Sequence, residues 1–132
     1  MTHKLFVYGT LKQGFHNHRF LEGAKFLGVD TTKDSDFAIF DLGFCPAVGR
    51  CGDDRVAGEL YEIDDSTLDL CDMLESNGRL YTREIVALSG GDEAWMYLIN
   101  GDRLGMCSIV QSQDGVASWP EKVEGYFFQS QG

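Results

Sequence analysis

The sequence predicts an α+β domain in which a mixed β-sheet curls, barrel-like, around one core, with two or more short helices inserted. Runs rich in β-branched and aromatic residues recur along most of the chain. Helix start and stop residues bracket only two short stretches. No repeat, low-complexity block or proline-rich linker divides the 132 residues, a length that buries a core without disulfide staples. Residues 1–132 are therefore read as one domain.

Each element has a local reason. Lys4 to Tyr8 is an apolar strand that breaks off at Gly9-Thr10, where a missing side chain lets another group approach the main chain and freed N–H groups can hold an anion. Asn17 to Glu22 reads as a short helix, Asn17 its N-cap and Gly23 its stop. Ala24 to Val29 and Asp36 to Phe40 are strand candidates. Gly43 to Val48 reads as an irregular apolar loop, because Pro46 cannot donate to a ladder. Arg55 to Ile63 resumes a strand, with Val56, Gly58 and Leu60 on one side.

Asp64-Asp65-Ser66 then offers N-caps to a helix running to about Glu75, ended by Asn77-Gly78. Leu80 to Leu88 and Glu93 to Ile99, separated by Ser89-Gly90-Gly91-Asp92, form a hairpin. Asn100-Gly101-Asp102 marks a turn, and the last thirty residues carry no decisive pattern.

Composition narrows the function classes. Eleven basic against twenty-one acidic residues give a formal net charge of −10, the wrong sign for a nucleic-acid partner and compatible with a cationic small molecule. Cys45, Cys51, Cys71 and Cys107 contain no Cys-x-x-Cys pair, and reduced cytosolic thiols are expected. His16-x-His18 has no third ligand nearby, so no metal is expected. No apolar stretch approaches the roughly 18 residues of a membrane span, and no export signal is read at the N-terminus, so a cytoplasmic protein is expected.

One acidic residue stands out. Stepping about 100° per residue from Leu68 places Leu70, Leu74 and Cys71 at about 200°, 240° and 300°, and Glu75 at about 340°, among apolar neighbours. Asp72, at about 40°, and Asp69, at about 100°, turn toward the wet face. A carboxyl group in an apolar stripe resists ionisation and moves toward the range useful for proton transfer near neutral pH. No histidine is placed to activate a thiol, and Cys71 beside Glu75 reads as a small core residue.

Leu5-Phe6-Val7-Tyr8-Gly9-Thr10-Leu11-Lys12 with Asn17-His18, then Gly58-Glu59-Leu60-Tyr61-Glu62-Ile63-Asp64, then Leu74-Glu75 and Tyr81-Thr82-Arg83 together resemble the γ-glutamylcyclotransferase-like superfamily. Within it the chain is most similar to the γ-glutamylamine cyclotransferase branch, from residue 4 to about 99. The resemblance implies an enzyme that cuts a γ-glutamyl amide without water as nucleophile, releasing 5-oxoproline and an amine or amino acid. It assigns Glu75 as catalytic acid/base and the loop Tyr8, Gly9, Thr10 and Leu11 as the grip on the glutamyl end, and it needs no metal or cofactor. Tyr8, Tyr61 and Tyr81 are candidates to orient Glu75 or the ligand. Arg83 is read either as a partner for a substrate carboxylate or as a structural ion pair. Other γ-glutamyl peptides, and a non-catalytic binding module that keeps the pocket, are the alternative readings. Oligomeric state stays open.

Overall fold

The computed structural model describes residues 1–43, 45–100 and 108–119. Cys107, the Gly101-Asp102 part of the expected turn and most of the undecided C-terminal segment lie outside the described residues.

Strand β4, Pro46–Asp64, is the spine. Its second half lies between β1, Thr2–Val7, and β2, Lys25–Thr31, with antiparallel pairing to both. Its first half pairs with β3, Phe37–Asp41. Beyond β1 come β6, Glu93–Ile99, parallel to β1, and then β5, Tyr81–Ala87, antiparallel to β6. Short strands β7, Ser108–Ile109, and β8, Val116–Ala117, pair with β3 and β4. A bridge between Thr32 and Leu88 joins the far end of β2 to that of β5, which curls the sheet toward closure. The expected mixed, curled sheet is the observed architecture, with one α-helix, α1, Asp65–Leu74, and a 3₁₀ turn, His18–Leu21, among the described residues.

Alternation along the strands sorts the core into two bodies. Phe6, Val56, Leu60, Met96 and Leu98 point into the curl with Phe37, Ile39 and Val48. Leu5, Val7, Tyr61, Ile63, Tyr97 and Ile99 point the other way, beneath Leu68 and Cys71 of α1. Because successive side chains of a strand alternate faces, a strand buried on both must be apolar throughout. Leu5, Phe6 and Val7 are at most 3 % exposed, which explains their unbroken hydrophobicity.

Some expectations change. Pro46 opens β4 rather than lying in a loop, because the first position of a strand needs no donor. Arg50 to Asp53 bulge out where β3 shifts register between Phe37 and Ala38, merging two predicted segments into one bent strand of 19 residues. Asn17 does not cap its turn; its Nδ2 donates instead to Thr10 Oγ1 at 2.9 Å. Asp64 does cap α1, accepting from the Thr67 amide at 2.8 Å.

Gly58 explains how closely β4 crosses β1. A Cβ there would meet the Val7 carbonyl oxygen at 2.4 Å and the Phe6 ring at 2.9 Å. Since backbone cannot yield as a flexible side chain does, Gly58→Ala is expected to destabilise the fold by about 1–3 kcal/mol, read as a lower urea midpoint at unchanged slope.

Candidate active site

The break after β1 and the end of α1 meet at one cavity of about 230 Å³. Tyr8, Gly9, Thr10 and Leu11 line it from the loop after β1, Leu74 and Glu75 from the C-terminal end of α1, and Tyr81 from β5. The volume falls below the roughly 300–1,000 Å³ of drug-sized sites, which suits a small substrate.

Glu75 sits where helix geometry fixes its backbone. Its N–H donates to the Cys71 carbonyl at 2.9 Å, Ser76 follows at φ +50°, and the amides of Ser76 and Asn77 donate back to Met73 and Asp72. These two returning bonds and the left-handed residue make a Schellman closure. The helix therefore ends one residue before the expected Asn77-Gly78 signal, and Glu75 is its last helix-bonded residue. Its half-buried carboxyl group has no hydrogen-bond partner among the described residues. Burial pushes it up to about 7 from an ordinary 4.5. The carbonyl end of α1, with its partial negative charge, acts in the same direction.

The loop facing Glu75 is tied by its own main chain and side chains. Lys12 N–H donates to the Gly9 carbonyl at 3.0 Å and Asn17 N–H to that of Thr10 at 3.0 Å. His18 Nδ1 donates to the Leu11 carbonyl at 2.8 Å, which sets its tautomer. The amides of Gly9, Thr10 and Leu11, by contrast, find no acceptor among the described residues. Three successive unpaired donors beside a cavity make a place for an anionic oxygen.

Gly9 acts differently from the sequence reading. The direction its side chain would take is filled by the Pro46 ring, 2.5 Å from an ideal Cβ, so the glycine admits protein rather than ligand. Tyr8 is also committed: its hydroxyl donates to the Tyr97 carbonyl at 2.8 Å and accepts from the Val48 amide at 3.3 Å. Tyr81 donates to the Pro46 carbonyl at 3.3 Å. Its hydroxyl is held above the ordinary tyrosine range by burial and by the nearby Glu75 charge. Tyr61 lies elsewhere, donating to Glu59 at 2.9 Å.

Arg83 is a correction. It does not line the cavity; its guanidinium grips Asp72, at 2.8 and 3.2 Å, and covers the Trp95 ring. The structural ion pair is the reading that fits. Asp72 is accordingly only 22 % exposed, not on a wet face, whereas Leu70 is 48 % exposed despite its place in the apolar arc.

Other wall residues went unassigned by sequence reasoning: His16, Leu42, Cys45, Pro46, Leu80 and Tyr97. The apolar run Gly43 to Val48 was the available signal for Cys45 and Pro46 alone. Burial and the Glu75 charge raise the Cys45 thiol, and burial pushes Cys71 up to about 12, so neither supplies thiolate near neutral pH. Among the described residues no cluster of three or more His, Cys, Asp or Glu side chains could hold a metal ion, and no helix is long and apolar enough to cross a membrane.

A curled mixed sheet thus brings one carboxyl group with a raised pKa into the same small cavity as three amides that find no acceptor among the described residues. The chain belongs to the family described as gamma-glutamyl cyclotransferase, AIG2-like, which matches residues 5–119. A Vibrio cholerae protein that bears a provisional gamma-glutamylcyclotransferase name is 39% identical over 98 residues, 74% of this chain and 83% of that one. The solution structure of YtfP from Escherichia coli is 32% identical with a TM-score of 0.66, covering 92% of this chain and 99% of that one. A mouse AIG2-like protein superposes with a TM-score of 0.73 at 25% identity, covering 90% and 96%.

Burial of Glu75 has a consequence for stability. A carboxyl group whose folded-state pKa is raised disfavours the folded state once ionised; the penalty is absent below about pH 4.5, grows through about pH 7 and is full above it. Glu75→Gln is expected to leave the thermal midpoint unchanged at pH 4 and to raise it at pH 8, by a stabilisation of up to about 3 kcal/mol. Calorimetry at the two pH values checks the sign.

Proposed function

We infer that the protein is a γ-glutamyl cyclotransferase acting on γ-glutamyl amines, with Glu75 as its acid/base. The observation that carries this reading is that Glu75 lines the same cavity as Gly9, Thr10 and Leu11, whose amides find no acceptor among the described residues. Family membership supplies the reaction class.

In this mechanism the loop amides bind an anionic oxygen of the glutamyl group, either its α-carboxylate or the oxygen that gains charge as the γ-carbonyl is attacked. Thr10 adds a hydroxyl whose oxygen is already oriented by Asn17. Ionised Glu75 removes a proton from the substrate's α-ammonium, because only the free amine is a nucleophile. The amine attacks its own γ-carbonyl, a new C–N bond closes the five-membered lactam, and the γ-amide C–N bond breaks. Protonated Glu75 returns that proton to the departing nitrogen. The second proton, which the attacking nitrogen sheds as it becomes the lactam N–H, passes through the freed carboxylate to the released amine, so the products are 5-oxoproline with a neutral lactam nitrogen and an ammonium.

A carboxyl group with a midpoint near 7 is suited to both halves of this cycle, since it is neither wholly charged nor wholly neutral at working pH. Holding the amine near the carbonyl contributes roughly 7–11 kcal/mol toward the barrier. Few groups are therefore needed. Leu11, Leu42, Leu74 and Leu80 make part of the cavity wall apolar, which offers few hydrogen-bonding groups to position a competing water.

The test is product analysis with a panel of γ-glutamyl amides. Wild-type protein is expected to release 5-oxoproline rather than glutamate, with kcat/KM rising through about pH 7 as Glu75 ionises. Glu75→Gln is expected to lose about 10²- to 10⁴-fold. Glutamate as the product would indicate hydrolysis, and equal rates from both proteins would remove Glu75 from the chemistry.

A further inference from the structure

Arg83, displaced from the substrate, occupies a junction with another use. Its Nε donates to Asp72 Oδ1 at 2.8 Å and its Nη2 to Asp72 Oδ2 at 3.2 Å, a two-pronged pairing. The Tyr97 hydroxyl donates to the same Oδ1 at 2.6 Å. The guanidinium lies 4.1 Å from the Trp95 ring centre, and the Arg83 amide donates to Asn77 Oδ1 at 3.0 Å. One carboxylate thus ties α1 to β5 and β6. That carboxylate belongs to the last turn of the helix, three residues before Glu75, and the Asp72 carbonyl accepts one of the two bonds that end the helix.

Extending the cyclotransferase reading, we propose that Arg83, Asp72 and the Tyr97 hydroxyl are positioning residues that hold the end of α1 so that Glu75 stays aimed at the substrate amine. An ion pair of this kind is weak as a stabiliser, because desolvation offsets much of its attraction, but a forked pairing fixes direction. Arg83 and Asp72 are 21 % and 22 % exposed, removed from most of the water that would loosen them. The cluster also has an electrostatic effect. Without Arg83, Asp72 would place a second uncompensated negative charge one helical turn from Glu75 and oppose its ionisation. Among the described residues, the other titratable groups around Glu75 are Tyr8 just after β1, Tyr81 of β5, Cys45 ahead of β4, His16 of the loop and Cys71 of α1. Cys45, Cys71 and the two tyrosines are held neutral near pH 7 by their raised pKa values, so none of these four adds a negative charge beside Glu75.

The experiment uses the full chain with Arg83→Met, Arg83→Lys and Tyr97→Phe, the last keeping the ring that packs in the core. Carbon-13 NMR follows the Glu75 carboxyl through pH, and steady-state assays with a γ-glutamyl amide give kcat and KM. Arg83→Met is expected to raise the Glu75 midpoint and lower kcat about 10- to 100-fold while KM changes less than about twofold. Tyr97→Phe should move both in the same directions by less. Arg83→Lys should restore the Glu75 midpoint but only part of kcat, since an ammonium lacks the fork. A rise in KM at constant kcat would instead put Arg83 on the substrate and overturn the proposal. So would an unmoved Glu75 midpoint in Arg83→Met, or in Tyr97→Phe should Arg83→Met not fold. If wild-type protein forms no 5-oxoproline, the functional reading fails by itself. The NMR titration then still decides: a moved midpoint supports positioning and an unmoved one refutes it.

Discussion

Glu75 keeps its carboxyl group away from water at the end of a helix, and much of the surrounding architecture can be understood as what makes that tolerable. A half-buried acid with no donor nearby turns back toward solvent unless its backbone is fixed. Here the Schellman closure at Ser76 and Asn77 fixes it from below. Cys71 and Leu68, sealed against the sheet, prevent the helix from rolling. Ionisation is disfavoured by both burial and the helix end, so the group exchanges protons near neutrality rather than resting as a permanent anion. Burial of this acid costs stability once the group ionises.

Opposite that carboxyl group, the end of β1 contributes rigidity of another kind. Leu5 and Val7 anchor the strand to the helix side while Phe6 and Tyr8 anchor it inside the curl. The chain leaving it has almost no slack. The carbonyls of Gly9, Thr10 and Leu11 are taken by Lys12, Asn17 and His18, while the three amides find no acceptor among the described residues. A loop that satisfies its acceptors and leaves its donors open is already organised for negative charge before anything binds, so little ordering is left for the ligand to drive.

Much of this was legible from local pattern. The helix over residues 65–74, its Asp64 cap, the β5–β6 hairpin and the alternating faces of β4 all follow from neighbours a few residues apart. Glu75 was legible for the same reason: a helical wheel is a local calculation. What escaped depends on distance along the chain. Gly9 looked like an opening for ligand because the residue filling the space, Pro46, lies in another strand. Asp72 looked solvated because its partners, Arg83 and Tyr97, come from β5 and β6. Arg83 looked free to meet substrate for the converse reason. Pro46 misled because a proline reads as a strand breaker except at the first position, and the start of β4 is set by pairing with β3.

The central claim is spatial: a γ-glutamyl group lies with its carboxylate end or γ-carbonyl oxygen on the loop amides and its amine toward residue 75. A crystal structure of the Glu75→Gln protein soaked with a γ-glutamyl amide reads this directly. The account predicts the α-amine about 2.6–3.2 Å from the residue 75 side chain, with an anionic or carbonyl oxygen on the amides of Gly9, Thr10 or Leu11. A glutamyl group bound outside this cavity, or one turned so that its amine faces away from residue 75, would contradict it.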